Sequence, residues 1–263
     1  MAITTKMHSS IVRLSLFVLV SMFLFGCATG PQPMAPMTQV LPQPVTAAYP
    51  AAAPFTHAQT IEHIVGPYET LFRISQTYGV SIDSLMRANG IADPRELKNG
   101  QKLVIPDTMG PRPVIPYFPA DRWTYIVIHH TATHDGNAFS IDAMHHQRGF
   151  WNGLGYHFLV SNGTLGMQSG QIQVGPRWMK QQDGAHANAA DMNIKGIGIA
   201  LIGNFSEGYV DQPQLESLIF LVKTLQRYYD IPSSHVIRHN DVPGKNTECP
   251  GTHFPWSDFK NSL

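Results

Sequence analysis

The chain has 263 residues, enough for one sizeable core or for two domains once targeting sequence is set aside. Its 18 basic residues balance 18 acidic ones, so no broad field draws a polyanion and nucleic acid is excluded as the expected partner. A charged fraction of 14% and an aromatic fraction of 10% fit a globular enzyme with a groove.

Lys6 and Arg13 precede an apolar run, Leu14 to Phe25, that closes on Gly26 and Cys27. A charged lead, a short apolar centre and a small-residue boundary mark an export signal, and the run is short for a bilayer span. Leu24-Phe25-Gly26-Cys27 resembles the lipobox of bacterial lipoproteins. That resemblance implies a signal peptide over residues 1–26, lipid on Cys27 and a membrane partner through that anchor. With Ala28 rather than Asp in the next position, the outer membrane facing the periplasm is the expected location. An exported chain with two cysteines would ordinarily close one disulfide. Lipid on Cys27 leaves Cys249 without a partner, and metal ligation is the use that remains. From Gly30 to Pro54 the chain is rich in Pro, Ala, Gln and Thr and carries no charge, so residues 27–58 read as a tether.

Residues 59–107 carry their own folding signals. Ile61, His63 and Val65 alternate as a strand, and Gly66-Pro67 turns the chain. Leu71, Ile74 and Tyr78 recur at helical spacing behind the cap Thr70, and Gly79 stops the helix. Ser81 caps a second helix carrying Ile82, Leu85 and Met86, which Asn89-Gly90 ends. Asn99-Gly100 then turns into a closing strand, Lys102 to Ile105. "HIVGPYETLFRISQTYGVSIDSLMRANGI" followed by "LKNGQKLVIP" resembles a LysM module, which implies binding to glycans that contain N-acetylglucosamine. Pro67-Tyr68-Glu69 departs from the Gly-Asp-Thr usual in that family. Four prolines and a glycine between Asp107 and Ala120 suit a short semi-rigid linker over 108–120.

A second domain runs over 121–263. Tyr125 to Ile128 is a short apolar run rich in β-branched residues, as in a strand buried on both faces, and His129 and His130 stand at its C-terminal end. Farther on, His239 follows another short strand, with Cys249 ten positions later across a Pro/Gly loop. Imidazole and thiolate suit zinc, and three protein ligands leave a fourth position open for water. Asp211 to Tyr229 reads as an amphipathic helix with Leu215, Leu218, Ile219, Val222 and Leu225 on one face, which is packing rather than site. Trp151 and Trp178 could stack on sugar or line a peptide channel, although aromatics near a strand start are more often core.

"IVIHHTAT", "GLGYHFLVSNGTLG", "GIGIALIGNF" and "HNDVPGKNTECPG", in this order, resemble the zinc amidases that include phage lysozyme-type amidases and peptidoglycan recognition proteins. The resemblance implies an α/β fold with a mixed central sheet flanked by helices, preceded by the small βααβ LysM domain. It implies Zn2+ held by His129, His239 and Cys249, with His130 a neighbour only. Tyr156 becomes the catalytic tyrosine. Thr247 supports the tetrahedral intermediate, unless Lys245 in the same loop does so. His145 and His186 match groove positions and are expected to contact substrate. A related branch carries a catalytic Glu where this chain has Ala200, so no Glu base is expected. The implied reaction is hydrolysis of the amide between N-acetylmuramic acid and L-alanine in peptidoglycan. The competing expectation is a lipoprotein that binds peptidoglycan or tethers the wall without hydrolysing it.

Overall fold

Two sheets with different alternation patterns organise residues 55–263, which the computed structural model describes. The signal segment, Cys27 and most of the tether lie outside the described residues.

The smaller sheet pairs β1 (Gln59–Ile64) with β2 (Lys102–Thr108) in antiparallel register, His63 opposite Leu103. Between them lie α1 (Leu71–Tyr78) and α2 (Ile82–Asn89), so the βααβ order stands. The closing strand continues past Ile105, because Thr108 still pairs with Gln59. Thr70 accepts the Arg73 N–H and Ser81 the Ser84 N–H, which satisfies one otherwise open donor at each helix start. Gly79 and Gly90 end the helices at φ 66° and 62°, where a side chain would be strained. Val65, Leu71, Ile74, Tyr78, Leu85, Leu103 and Ile105 form this module's core. Glu69, in the atypical Pro67-Tyr68-Glu69 stretch, folds back to accept from the Gly66 N–H and to meet His63 at 2.7 Å.

The larger sheet has the order β5-β4-β6-β3-β7, formed by β3 (Tyr125–His130), β4 (Phe158–Asn162), β5 (Ser169–Val174), β6 (Gly196–Leu201) and β7 (Val236–Arg238). All pairs are parallel except β4 with β5, which makes the sheet mixed. Helix α3 (Ala138–Gln147), two short turns α4 (Pro176–Met179) and α5 (Met192–Lys195), the long α6 (Gln212–Tyr229) and α7 (Trp256–Asn261) surround it. Asp211 caps α6 by accepting the Gln214 N–H at 2.8 Å.

Side-chain alternation along the strands separates structure from site. Ile126 and Ile128 of β3, Phe158 and Val160 of β4, and Ile197, Ile199 and Leu201 of β6 face one way, onto Leu218, Leu221, Val222 and Leu225 of α6. The opposite face carries Val127 and His129 on β3 and only Gly196, Gly198 and Ala200 on β6. That strip of small residues leaves room above the middle of the sheet. Trp178 lies in the main core with no exposure, which decides it as packing.

Candidate metal centre and active site

His129 stands on β3 opposite Ala200, one residue before the strand ends. Alternation sends His130 to the other face, where its Nδ1 accepts the Phe205 N–H at 3.2 Å, so its ring is turned away from that of His129. Its backbone N–H still donates to Cys249 Sγ at 3.4 Å, a contact that suits a thiolate.

His239 opens a single 3-10 turn directly after β7, the strand beside β3. The Asn240 N–H donates to the Cys249 carbonyl at 3.0 Å and so draws the Pro/Gly loop back over the strand ends. One ligand atom from each of His129, His239 and Cys249 then lies within 4.8 Å of the others. Cys249 Sγ is 3.7 Å from His129 Nδ1. Tetrahedral zinc with nitrogen and sulfur ligands needs donor separations of about 3.5 Å, and the Cys249–His129 pair already stands near that spacing. His239 Nε2 is buried and lacks a hydrogen-bond partner, while its ring bonds to the Ala187 backbone. An orphaned buried nitrogen beside two other candidate ligands fits a cation site.

Electrostatics suit the same use. Burial, and then the neighbouring His186 and His239, hold His129 well below the usual imidazole range. His239 is lowered to about 4 by burial and then by Lys245, which places the Lys245 charge within its reach. Both imidazoles are therefore neutral at pH 7, as ligands must be. Burial pushes the Cys249 thiol up to about 12, so it carries its proton until a cation displaces it.

Tyr156 reaches the cluster from the loop before β4. Its ring lies 5.2 Å from that of His129, and its hydroxyl donates to the His130 carbonyl at 3.5 Å. Burial, then Cys249, raises its phenol above the ordinary range, so the hydroxyl keeps its proton. Thr247 accepts the Cys249 N–H at 3.2 Å through Oγ1, leaving its own hydroxyl proton to donate elsewhere. His145 lies beside Tyr156, ring centroids 5.4 Å apart, and its Nδ1 accepts the Gly155 N–H at 2.9 Å. Trp151 is 85% exposed on the loop that joins α3 to β4. Ala200 is fully buried opposite His129 and puts no carboxylate there.

His186, expected among the substrate contacts, is placed differently. It is buried, its Nδ1 lies 3.1 Å from His129 Nε2, and its Nε2 donates to the Gly196 carbonyl at 3.1 Å. Both ring nitrogens are taken inside the protein, so nothing is left with which to hold a ligand. The sequence motifs do not single out the residues that seat His186: Asn193, whose Oδ1 accepts from the N–H groups of His186 and Ala187, and the glycines Gly184 and Gly198. The one available signal is the pattern Gly-x-Gly-x-Ala in a strand otherwise made of Ile and Leu.

Comparison with known proteins finds relatives of this chain. The family profile "N-acetylmuramoyl-L-alanine amidase" matches residues 119–252, and the LysM domain profile matches residues 63–106. Peptidoglycan-recognition protein SC2 of Drosophila melanogaster is 30% identical over 157 residues, covering 54% of this chain and 78% of that protein. Peptidoglycan-recognition protein SC1a of the same organism is 28% identical over 146 residues, covering 52% of this chain and 72% of the relative. Among solved structures, the N-acetylmuramoyl-L-alanine amidase LysC from Clostridium intestinale is 36% identical with a TM-score of 0.46, covering 57% of this chain and 94% of that one.

Proposed function

Since the chain belongs to the N-acetylmuramoyl-L-alanine amidase family, we propose that it is a zinc-dependent peptidoglycan hydrolase that cleaves the amide between N-acetylmuramic acid and L-alanine. The observation that carries this reading is the convergence of one ligand atom each from His129, His239 and Cys249, with the Tyr156 ring 5.2 Å from that of His129. Zinc, when bound by these three, supplies an activated water near neutral pH and polarises the scissile carbonyl.

The chain's own groups do the rest. Cys249 would hold the metal as a thiolate, with the His130 N–H donating to its sulfur. Tyr156, held protonated, donates to the carbonyl oxygen as negative charge develops on it, with Thr247 or Lys245 assisting. His145, its Nδ1 occupied by the Gly155 N–H, keeps its remaining proton on Nε2 for an acceptor on the substrate. The LysM module holds the glycan, and lipid on Cys27 tethers the protein in the envelope, at the outer membrane facing the periplasm.

The test is mass spectrometry of purified sacculi digested with the zinc-loaded protein. Stem peptides with a new L-alanine amino terminus are expected, and they should vanish in His129→Ala and Cys249→Ser while binding to sacculi persists. Undiminished hydrolysis after zinc is stripped, or binding with no released peptide when zinc is present, would refute the reading.

A further inference from the structure

The geometry points to His186 as a positioning residue: bridging His129 to the Gly196 carbonyl, it holds His129 in one tautomer and keeps Nδ1 open as a metal donor. This rests on the zinc-centre reading above, and it assigns a task to a residue with no free nitrogen to offer to metal or substrate.

Proton positions fix the tautomers. A carbonyl oxygen only accepts, so the contact between His186 Nε2 and Gly196 O puts the His186 proton on Nε2. In a neutral imidazole with its proton on Nε2, Nδ1 carries a lone pair. That lone pair faces His129 Nε2 at 3.1 Å, and two lone pairs would repel, so His129 must donate there. With its single proton on Nε2, His129 keeps Nδ1 bare, and Nδ1 is the nitrogen 3.7 Å from Cys249 Sγ. The direction of one backbone carbonyl is thereby carried through two rings to the metal-binding nitrogen.

The bridge is built rather than incidental. A Cβ at Gly184 would stand 2.3 Å from His186 Cδ2, and one at Gly198 would stand 2.4 Å from the same atom. Only glycine at both positions admits the ring. Asn193 Oδ1 fixes the backbone beneath it by accepting from the His186 and Ala187 N–H groups, each at 2.9 Å. His157 closes the far side, its ring 5.6 Å from that of His186 and its own Nδ1 taken by the Gly198 N–H.

Long-range proton–nitrogen NMR on the metal-free full chain tests this without any substitution. His129 and His186 should both be protonated on Nε2, and a His129 protonated on Nδ1 would overturn the inference. Zinc affinity, measured by competition with a chromophoric chelator, supplies the second readout. His186→Phe keeps an aromatic ring but removes the acceptor, and should weaken zinc binding by about 10–100-fold. His186→Gln, with one acceptor and one donor, should recover part of that loss. A folded His186→Phe protein that binds zinc as tightly as wild type would also overturn it. Wild-type protein that binds no zinc would instead defeat the metal-centre reading, and the tautomers would still decide the role of His186.

Discussion

Under the proposed mechanism, Tyr156 is the residue on which hydrolysis and mere binding diverge. Its ring packs beside His129 and against the apolar cluster that includes Leu154, Leu159 and Ala200, while its hydroxyl makes a long contact, 3.5 Å, with the His130 carbonyl. Tyr156→Phe therefore keeps the packing and deletes one donor. We expect kcat on a defined muropeptide to fall by about 100- to 1,000-fold, with zinc content and KM little changed. Unchanged kcat would move the oxyanion-stabilising role to Thr247 or Lys245. Those two are separated by what each touches: Thr247 is tied to the Cys249 backbone, and Lys245 acts on His239 through its charge. The coming together of Tyr156, His129, His239 and Cys249 is legible in short ordered motifs. The role of His186 is not, because a motif shows that a histidine is present without showing which way its nitrogens face.

At the scale of elements, β6 shapes the site by what it lacks. Its large residues face α6, and its small ones form a floor on which His186, His129 and Tyr156 meet. The price of that arrangement is a layer of imidazoles, buried on β3, α3 and the loop at 184–187 and half-buried in the turn after β7. His186 is lowered to about 3, and His145 and His239 to about 4, in each case by burial first, from an ordinary value of 6.5. The folded chain thus binds fewer protons than the unfolded chain below about pH 6.5. This contribution to stability is complete above that pH and is lost progressively as pH falls from 6.5 through the folded values. Denaturant midpoints of the metal-free protein should drop steeply between pH 6.5 and about 4, and a flat profile there would show that these rings are not buried neutral in solution.

Over the whole described molecule, the LysM module is docked on the larger domain. The buried Gln171 side chain on β5 donates to the Tyr78 hydroxyl at 3.0 Å. The ring of Phe139 on α3 lies against Gly100, Ile64 meets Gly166, and Lys180 sits 3.9 Å over the Tyr68 ring. The linker is pinned at both ends, by the Arg112 N–H to the Thr77 carbonyl at 2.7 Å and by Trp178 Nε1 to the Pro116 carbonyl at 2.8 Å. Such packing predicts one cooperative thermal transition. The double variant Phe139→Ala, Gln171→Ala, altered only on the amidase side, should split it into two in calorimetry and let the LysM module tumble faster by NMR relaxation. A single unshifted transition would show that the docking adds no stability. Sequence alone determined what is local: the caps Thr70 and Ser81, the glycine stops, the amphipathic α6, and the order of motifs that assigns the family. These depend on neighbours within a few residues, or on a pattern that short segments carry intact. Tertiary structure alone decided the extension of β2 to Thr108, the burial of Trp178, the docking through Tyr78 and Gln171, and the direction of each histidine nitrogen. Those depend on contacts between residues far apart in the chain, and a hydrogen bond is specified by where two atoms meet rather than by either residue's identity.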